Sequence, residues 1–126
     1  MPSDPLAEVE LRLAEARQAE DQAGQAGKKL LANLRKGKVD TIISADFDRL
    51  EAAGFELERR ALAARDASAR NGDVAKVNAE IERLLQQAQV WLIYAQTNRS
   101  AGPATQSDRL EALLAASPAE RGGQTR

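Results

Sequence analysis

Histidine and cysteine are both missing from this chain of 126 residues. Without histidine there is neither the commonest general base nor the commonest metal ligand. Without cysteine there is no disulfide and no thiolate to act as nucleophile or metal ligand. Aromatic residues are scarce at 3%: one Trp, one Tyr and two Phe. Stacking platforms for unpaired bases are therefore few. No apolar run approaches the roughly 18 residues that cross a bilayer. The opening MPSDPLAEVE has neither the basic nor the apolar segment of a secretory leader. Asn98-Arg99-Ser100 fits the glycosylation triplet, but in a chain with no export signal the match is read as chance. A soluble, cytoplasmic protein with no membrane partner is the expectation.

What the chain does have is charge and helix-forming residues. Charged residues make up 29%, yet 18 basic side chains face 19 acidic ones for a net charge of −1. With no global field, any charged partner has to be met by a local patch. Alanine, leucine, glutamate, arginine and glutamine dominate, and the apolar residues recur at seven-residue spacing, the pattern of long packed helices.

The first predicted helix covers about residues 4–35. Ser3-Asp4-Pro5 is a start signal, and Arg35-Lys36-Gly37 a stop. Its stripe is Leu6, Val9, Leu13, Ala16, Glu20, Ala23, Gly27, Leu30 and Leu34. A connection follows, and Ser44 is expected to cap a second helix over 44–70. There Phe47, Leu50, Gly54, Leu57, Ala61 and Ala64 form the stripe, widened by Phe55 and Leu62. Asp73 is expected to cap a third helix over 73–100, with Val74, Val77, Ile81, Leu84, Ala88, Trp91 and Ala95 in register. Residues 101–106 read as a linker, 107–116 as a short amphipathic helix carrying Leu110, Leu113 and Leu114, and 117–126 as a disordered tail. Residues 1–100 thus form one all-α domain. Its predicted architecture is an up-down-up antiparallel three-helix bundle with coiled-coil-like long helices and a short appended C-terminal helix; the alternative is a helical hairpin completed by dimerisation.

Antiparallel folding brings Trp91 level with Ala23 to Gly27, the stretch AGQAG. An interior glycine costs a helix about 0.5–1 kcal/mol relative to alanine, so two of them call for a packing reason. Large rings seated against missing side chains supply one. On this reading both Phe, the Trp and the Tyr share that layer, unless the first helix breaks at Gly24–Gly27.

Phosphate-loop and KH-type readings of Gly24-x-x-Gly27-Lys28-Lys29 both fail, because the required spacing and flanking strands are absent. The carboxylates alternate with arginine along helix faces, the pattern of solvated i, i+4 pairs, and only Glu20 falls within a stripe. The serines have no histidine to activate them. No catalytic residue, cofactor or metal site is assigned, and the chain is expected not to be an enzyme.

Two features remain. Between Asp21 and Asp40 there is no acidic residue, while Lys28, Lys29, Arg35, Lys36 and Lys38 are basic. That cluster is a candidate contact for phosphate or an acidic protein surface, although cations also suit a helix C-terminus. On the third helix, Val90 and Ile93 fall opposite the core stripe and Tyr94 on its flank. The strip calls for cover by the chain's own Leu110, Leu113 and Leu114 helix, a second copy, or a different protein. The leading functional expectation is a non-catalytic protein–protein interaction module acting through Val90, Ile93 and Tyr94, with Leu110, Leu113 and Leu114 as partner or lid. Behind it stand a nucleic-acid-associated protein using the basic residues and a structural coiled-coil oligomer.

Overall fold

The computed structural model describes residues 5–72 and 74–116. They form four helices and no strand: α1 (Pro5–Arg35), α2 (Asp40–Arg70), α3 (Ala75–Asn98) and α4 (Pro103–Ala116). The helix contacts fit a bundle, with α2 packed along both α1 and α3, and α4 resting mainly on α1. The side-chain pairs give the running directions. Asn33 reaches Asp46 and Asn71 reaches Glu8, so α1 and α2 run in opposite senses. Gln96 reaches Glu51 and Ser68 reaches Asn78, so α2 and α3 do the same.

The core is a stack of the stripes read from the sequence. Leu13, Leu30, Phe47, Leu50, Leu57, Ile81, Leu84 and Trp91 are all buried within one apolar cluster. α1 is continuous through Gly24 and Gly27. Packing of one helix face outweighs the propensity cost of two glycines. The turn after α1 is closed by Gly37 at φ +69°, and the turn after α2 by Gly72 at φ +93°, the left-handed conformation that glycine adopts without strain.

Several expected boundaries are corrected. α2 begins at Asp40, four residues before Ser44, because Val39 takes the extended N-cap conformation and the carbonyl of Val39 accepts from the amides of Ile42 and Ile43. The apolar pair Ile42-Ile43 belongs to the first turn of the helix rather than to a loop. α3 spans Ala75–Asn98 rather than 73–100, with Val74 as its N-cap. Ser68 joins the two helices there: its Oγ donates to Asn78 Oδ1 at 2.8 Å and accepts from the Val74 amide at 3.0 Å. The expected linker 101–106 is mostly helix. Pro103 starts α4 instead of spacing it, as a fixed φ and a missing N–H suit a first helical position. The predicted tail at 117–126 and the capping roles of Ser3, Asp4 and Asp73 lie outside the described residues.

Candidate interaction surface

The inner side of α3 is filled. Trp91 is 1% exposed, with the edge of its indole against Gly27, and Leu92 packs onto Gly54. Gly27 is thus the expected socket, whereas Gly24 has nothing within 4 Å of where a Cβ would stand. Only one of the two phenylalanines joins this region. Phe47 is buried and stacks on Tyr94 with ring centroids 5.8 Å apart. Phe55 is 50% exposed, contrary to the expectation of a shared aromatic layer. It follows Gly54 directly, and one residue turns a helix by about 100°, off the stripe.

Tyr94 is also corrected. It is 4% exposed and faces α4, not solvent. Its hydroxyl donates to the Gln106 carbonyl at 2.7 Å. Gln106 Nε2 in turn donates to the Asn98 carbonyl at 2.8 Å, and Arg109 Nη1 to Asn98 Oδ1 at 2.8 Å. Burial raises the Tyr94 phenol well above its ordinary range, and the nearby Arg109 charge acts in the opposite direction. With Leu110 and Leu114 buried and Leu113 half-buried, this polar clamp seats α4 on the bundle. Sequence periodicity placed the three leucines correctly on one face. It missed Asn98 and Gln106, because a polar side chain that is buried to bond backbone carbonyls leaves no periodic signal.

The cover supplied by α4 stops short of the outer ridge. Val90 remains 37% exposed and Ile93 56%. Cross-helix hydrogen bonds fix what lies beside them. Gln89 bonds Glu58 and Gln96 bonds Glu51, so residues whose numbers sum alike stand level across the α2–α3 seam. Phe55 falls between Glu51 and Glu58 on one lip, and Ile93 between Gln89 and Gln96 on the other. Phe55, Val90 and Ile93 therefore occupy one short length of the bundle's outer surface. The same length of α3 carries no charge at all, from Leu84 to Asn98, in a chain where 29% of residues are charged.

The basic cluster is exposed throughout: Lys28, Lys29, Arg35, Lys36 and Lys38. Arg35 is engaged, at 2.6 Å from Glu111 on α4. Lys29, Lys36 and Lys38 make no ion pair among the described residues. Several arginines, by contrast, are drawn into pairs along the bundle, among them Arg17, Arg59, Arg60, Arg70 and Arg83. Arg59 and Arg60 together hold the Glu56 carboxyl down to about 2. Arg17, hydrogen-bonded to Glu80, lowers that carboxyl and has its own pKa raised. Among the described residues two carboxylates are buried, and both are bonded. Glu20 accepts from Arg83 at 2.8 and 3.3 Å. Asp46 accepts from Asn33 at 2.7 Å and Arg49 at 2.8 Å. No group of three or more acidic, histidine or cysteine side chains among the described residues is placed to hold a metal ion. None of their helices is long and apolar enough to cross a membrane. No family model, curated protein or solved structure matches this chain.

Proposed function

We propose that this chain is a non-catalytic protein–protein interaction module that works through the outer α2–α3 seam, at Phe55, Val90 and Ile93. The scaffold for that surface is an up-down-up antiparallel three-helix bundle, closed on one side by α4. The observation that carries the reading is the coincidence of three exposed large apolar side chains with fifteen consecutive uncharged residues, 84–98. Depletion of charge around aromatic and aliphatic side chains marks the centre of an interface, because a buried unpaired charge is costly. Glutamines 86, 89 and 96 and Thr97 around it can exchange water for a partner's hydrogen bonds without that cost.

Burying half-exposed Phe55, Val90 and Ile93 contributes roughly 1 kcal/mol each, so rim contacts have to supply the rest of a stable complex. Leu110 and Leu114 act as an intramolecular lid on the neighbouring side rather than as the contact. Tyr94 positions that lid.

The test compares wild type with Ile93→Arg and Phe55→Arg in pull-downs from the native cell and in sedimentation over a range of concentrations. Both variants are expected to keep the wild-type melting curve and to lose the captured partner or, if the occupant is a second copy, the concentration-dependent dimer. An unchanged partner list together with an unchanged sedimentation profile overturns the proposal.

A further inference from the structure

The end of the bundle where the α1–α2 turn meets the α3–α4 turn holds a cleft of about 530 Å³. Its floor is apolar, made by Leu34, Ile43 and Phe47, and Lys38 and Arg99 stand at its edge. Beside it Val39 is 62% exposed and Ile42 40%. This cleft lies about eight residues of α2 beyond the Phe55–Ile93 seam, roughly 12 Å along the axis, and is a separate surface.

Charge around it is unequal in kind as well as in sign. Arg99 is already held by Asp48 and Glu51, each at 2.9 Å, and its guanidinium lies 5.8 Å from the Phe47 ring centroid. Arg35 is held by Glu111. Asp40 is an acid on the rim itself. Lys36 and Lys38 have no such carboxylate among the described residues, and Lys29 extends the same unpaired charge two turns up α1. The fold has paired Arg35 and Arg99 and left Lys38, which lines the opening, and Lys36, two residues before it, exposed to water.

We infer that this cleft is a docking site for an acidic peptide segment carrying one bulky apolar side chain. The apolar side chain enters between Leu34, Ile43 and Phe47, and the flanking carboxylates meet Lys38 on the lining and Lys36, exposed two residues before it in the chain. A pocket of some 300–1,000 Å³ with an apolar floor and a few convergent polar groups is the usual shape of such a site. An apolar anchor inside a charged rim separates orientation from attraction: burial sets the residence time, and opposite charge sets the encounter rate. The floor also decides against a nucleic-acid backbone, which would use the lysines and leave the cleft empty.

The full-length protein is titrated by fluorescence anisotropy with three labelled probes: a pentapeptide of two acidic residues on each side of a tryptophan, the same peptide with glycine for tryptophan, and a duplex oligonucleotide. The tryptophan peptide is expected to bind saturably, and the glycine peptide and the duplex to bind at least about tenfold more weakly. Lys36→Glu with Lys38→Glu is expected to weaken the peptide by a further factor of about ten and to slow its association. Ser44→Trp, on the exposed rim of the cleft, fills it without changing charge and is expected to abolish binding. Circular dichroism melts confirm that each variant is folded. Absence of binding by the tryptophan peptide, equal binding of the glycine peptide or the duplex, or full binding by Ser44→Trp each overturns the inference.

Discussion

Gly27 and Trp91 share one space: a Cβ on Gly27 would stand 3.1 Å from Cη2 of the indole and 3.2 Å from Cζ3. The ring has little room to retreat, since Trp91 is 1% exposed and its own Cβ lies 3.5 Å from where a side chain on Gly54 would begin. Gly27→Ala therefore gains helix propensity and overpacks the core at once. Overpacking costs about 1–3 kcal/mol against a gain of at most about 1, so the variant is expected to be less stable by about 1 kcal/mol. Gly24→Ala, with nothing within 4 Å, has only the gain and is expected to stabilise by about 0.5–1 kcal/mol. Urea denaturation of the two variants checks the pair, and a stabilised Gly27→Ala would show that the tryptophan is not seated there.

The hold on α4 rests on the Tyr94 hydroxyl, and Tyr94→Phe removes it without changing the ring that stacks on Phe47. A loss of about 1 kcal/mol is expected, felt as faster amide exchange in α4 before the rest of the bundle opens. The phenol's pKa is raised by burial. A raised folded-state value means that the neutral form stabilises the fold fully below the ordinary phenol range, and that this is lost as pH climbs above it. Alkaline titration of the sole tyrosine, followed by its ultraviolet absorbance, is expected to track unfolding. Tyr94→Phe is expected to remove that alkaline step.

How far the sequence carried the fold can be seen in neighbouring residues. Trp91 and Gly54 lie on repeating stripes, so their burial was legible, and so was the Gly27 socket. Phe55 was not, because a residue one step off a stripe is core or surface according to where the third helix sits, and that is decided by tertiary packing. The cleft was invisible for a related reason. Leu34, Phe47 and Pro103 come from three elements, and the sequence places them together only after both turns are built. Val90 and Ile93 were legible as outward-facing because their phase opposes a strong heptad. Tyr94, on the flank between faces, is placed by α4, whose first turn from Pro103 lies within the stretch expected to be a linker.

Glu56 accepts from both Arg59 and Arg60, and Arg60 also donates to the Glu15 carbonyl at 3.2 Å, tying α2 to α1. Its carboxyl pKa falls from 4.5 to about 2. A depressed folded-state value stabilises the fold above the unfolded one and ceases to do so as pH drops through the folded one. Thermal melts of wild type are therefore expected to lose stability between about pH 4.5 and 2. Glu56→Gln should melt lower than wild type at neutral pH and converge with it at the acid end. Added salt should narrow the neutral-pH gap, since the group lies near the surface. A constant gap across that range would assign the effect of the substitution to something other than charge.

The pairing of Glu20 with Arg83 separates an interaction's presence from its net worth. Glu20 occupies a core stripe position of α1 and is 7% exposed, and Arg83 of α3 supplies both of its hydrogen bonds. Arg83→Met leaves a nearly buried carboxylate without a donor, and removal of one partner from a buried pair costs up to about 3–5 kcal/mol. Arg83 keeps 40% of its side chain exposed, so water can partly replace it and about 2 kcal/mol is expected. Glu20→Leu restores the stripe's apolar character but frees the arginine, which can turn to Glu80, 3.7 Å away in the native fold. The double variant should therefore be close to wild type in stability, or above it, because an apolar pair avoids desolvating two charges. A double-mutant cycle by urea denaturation measures the coupling, and the register of α1 against α3 is the property to watch alongside it. If the double variant is as unstable as Arg83→Met alone, the carboxylate is not what makes the single substitution costly, and the loss lies in the packing of the arginine stem.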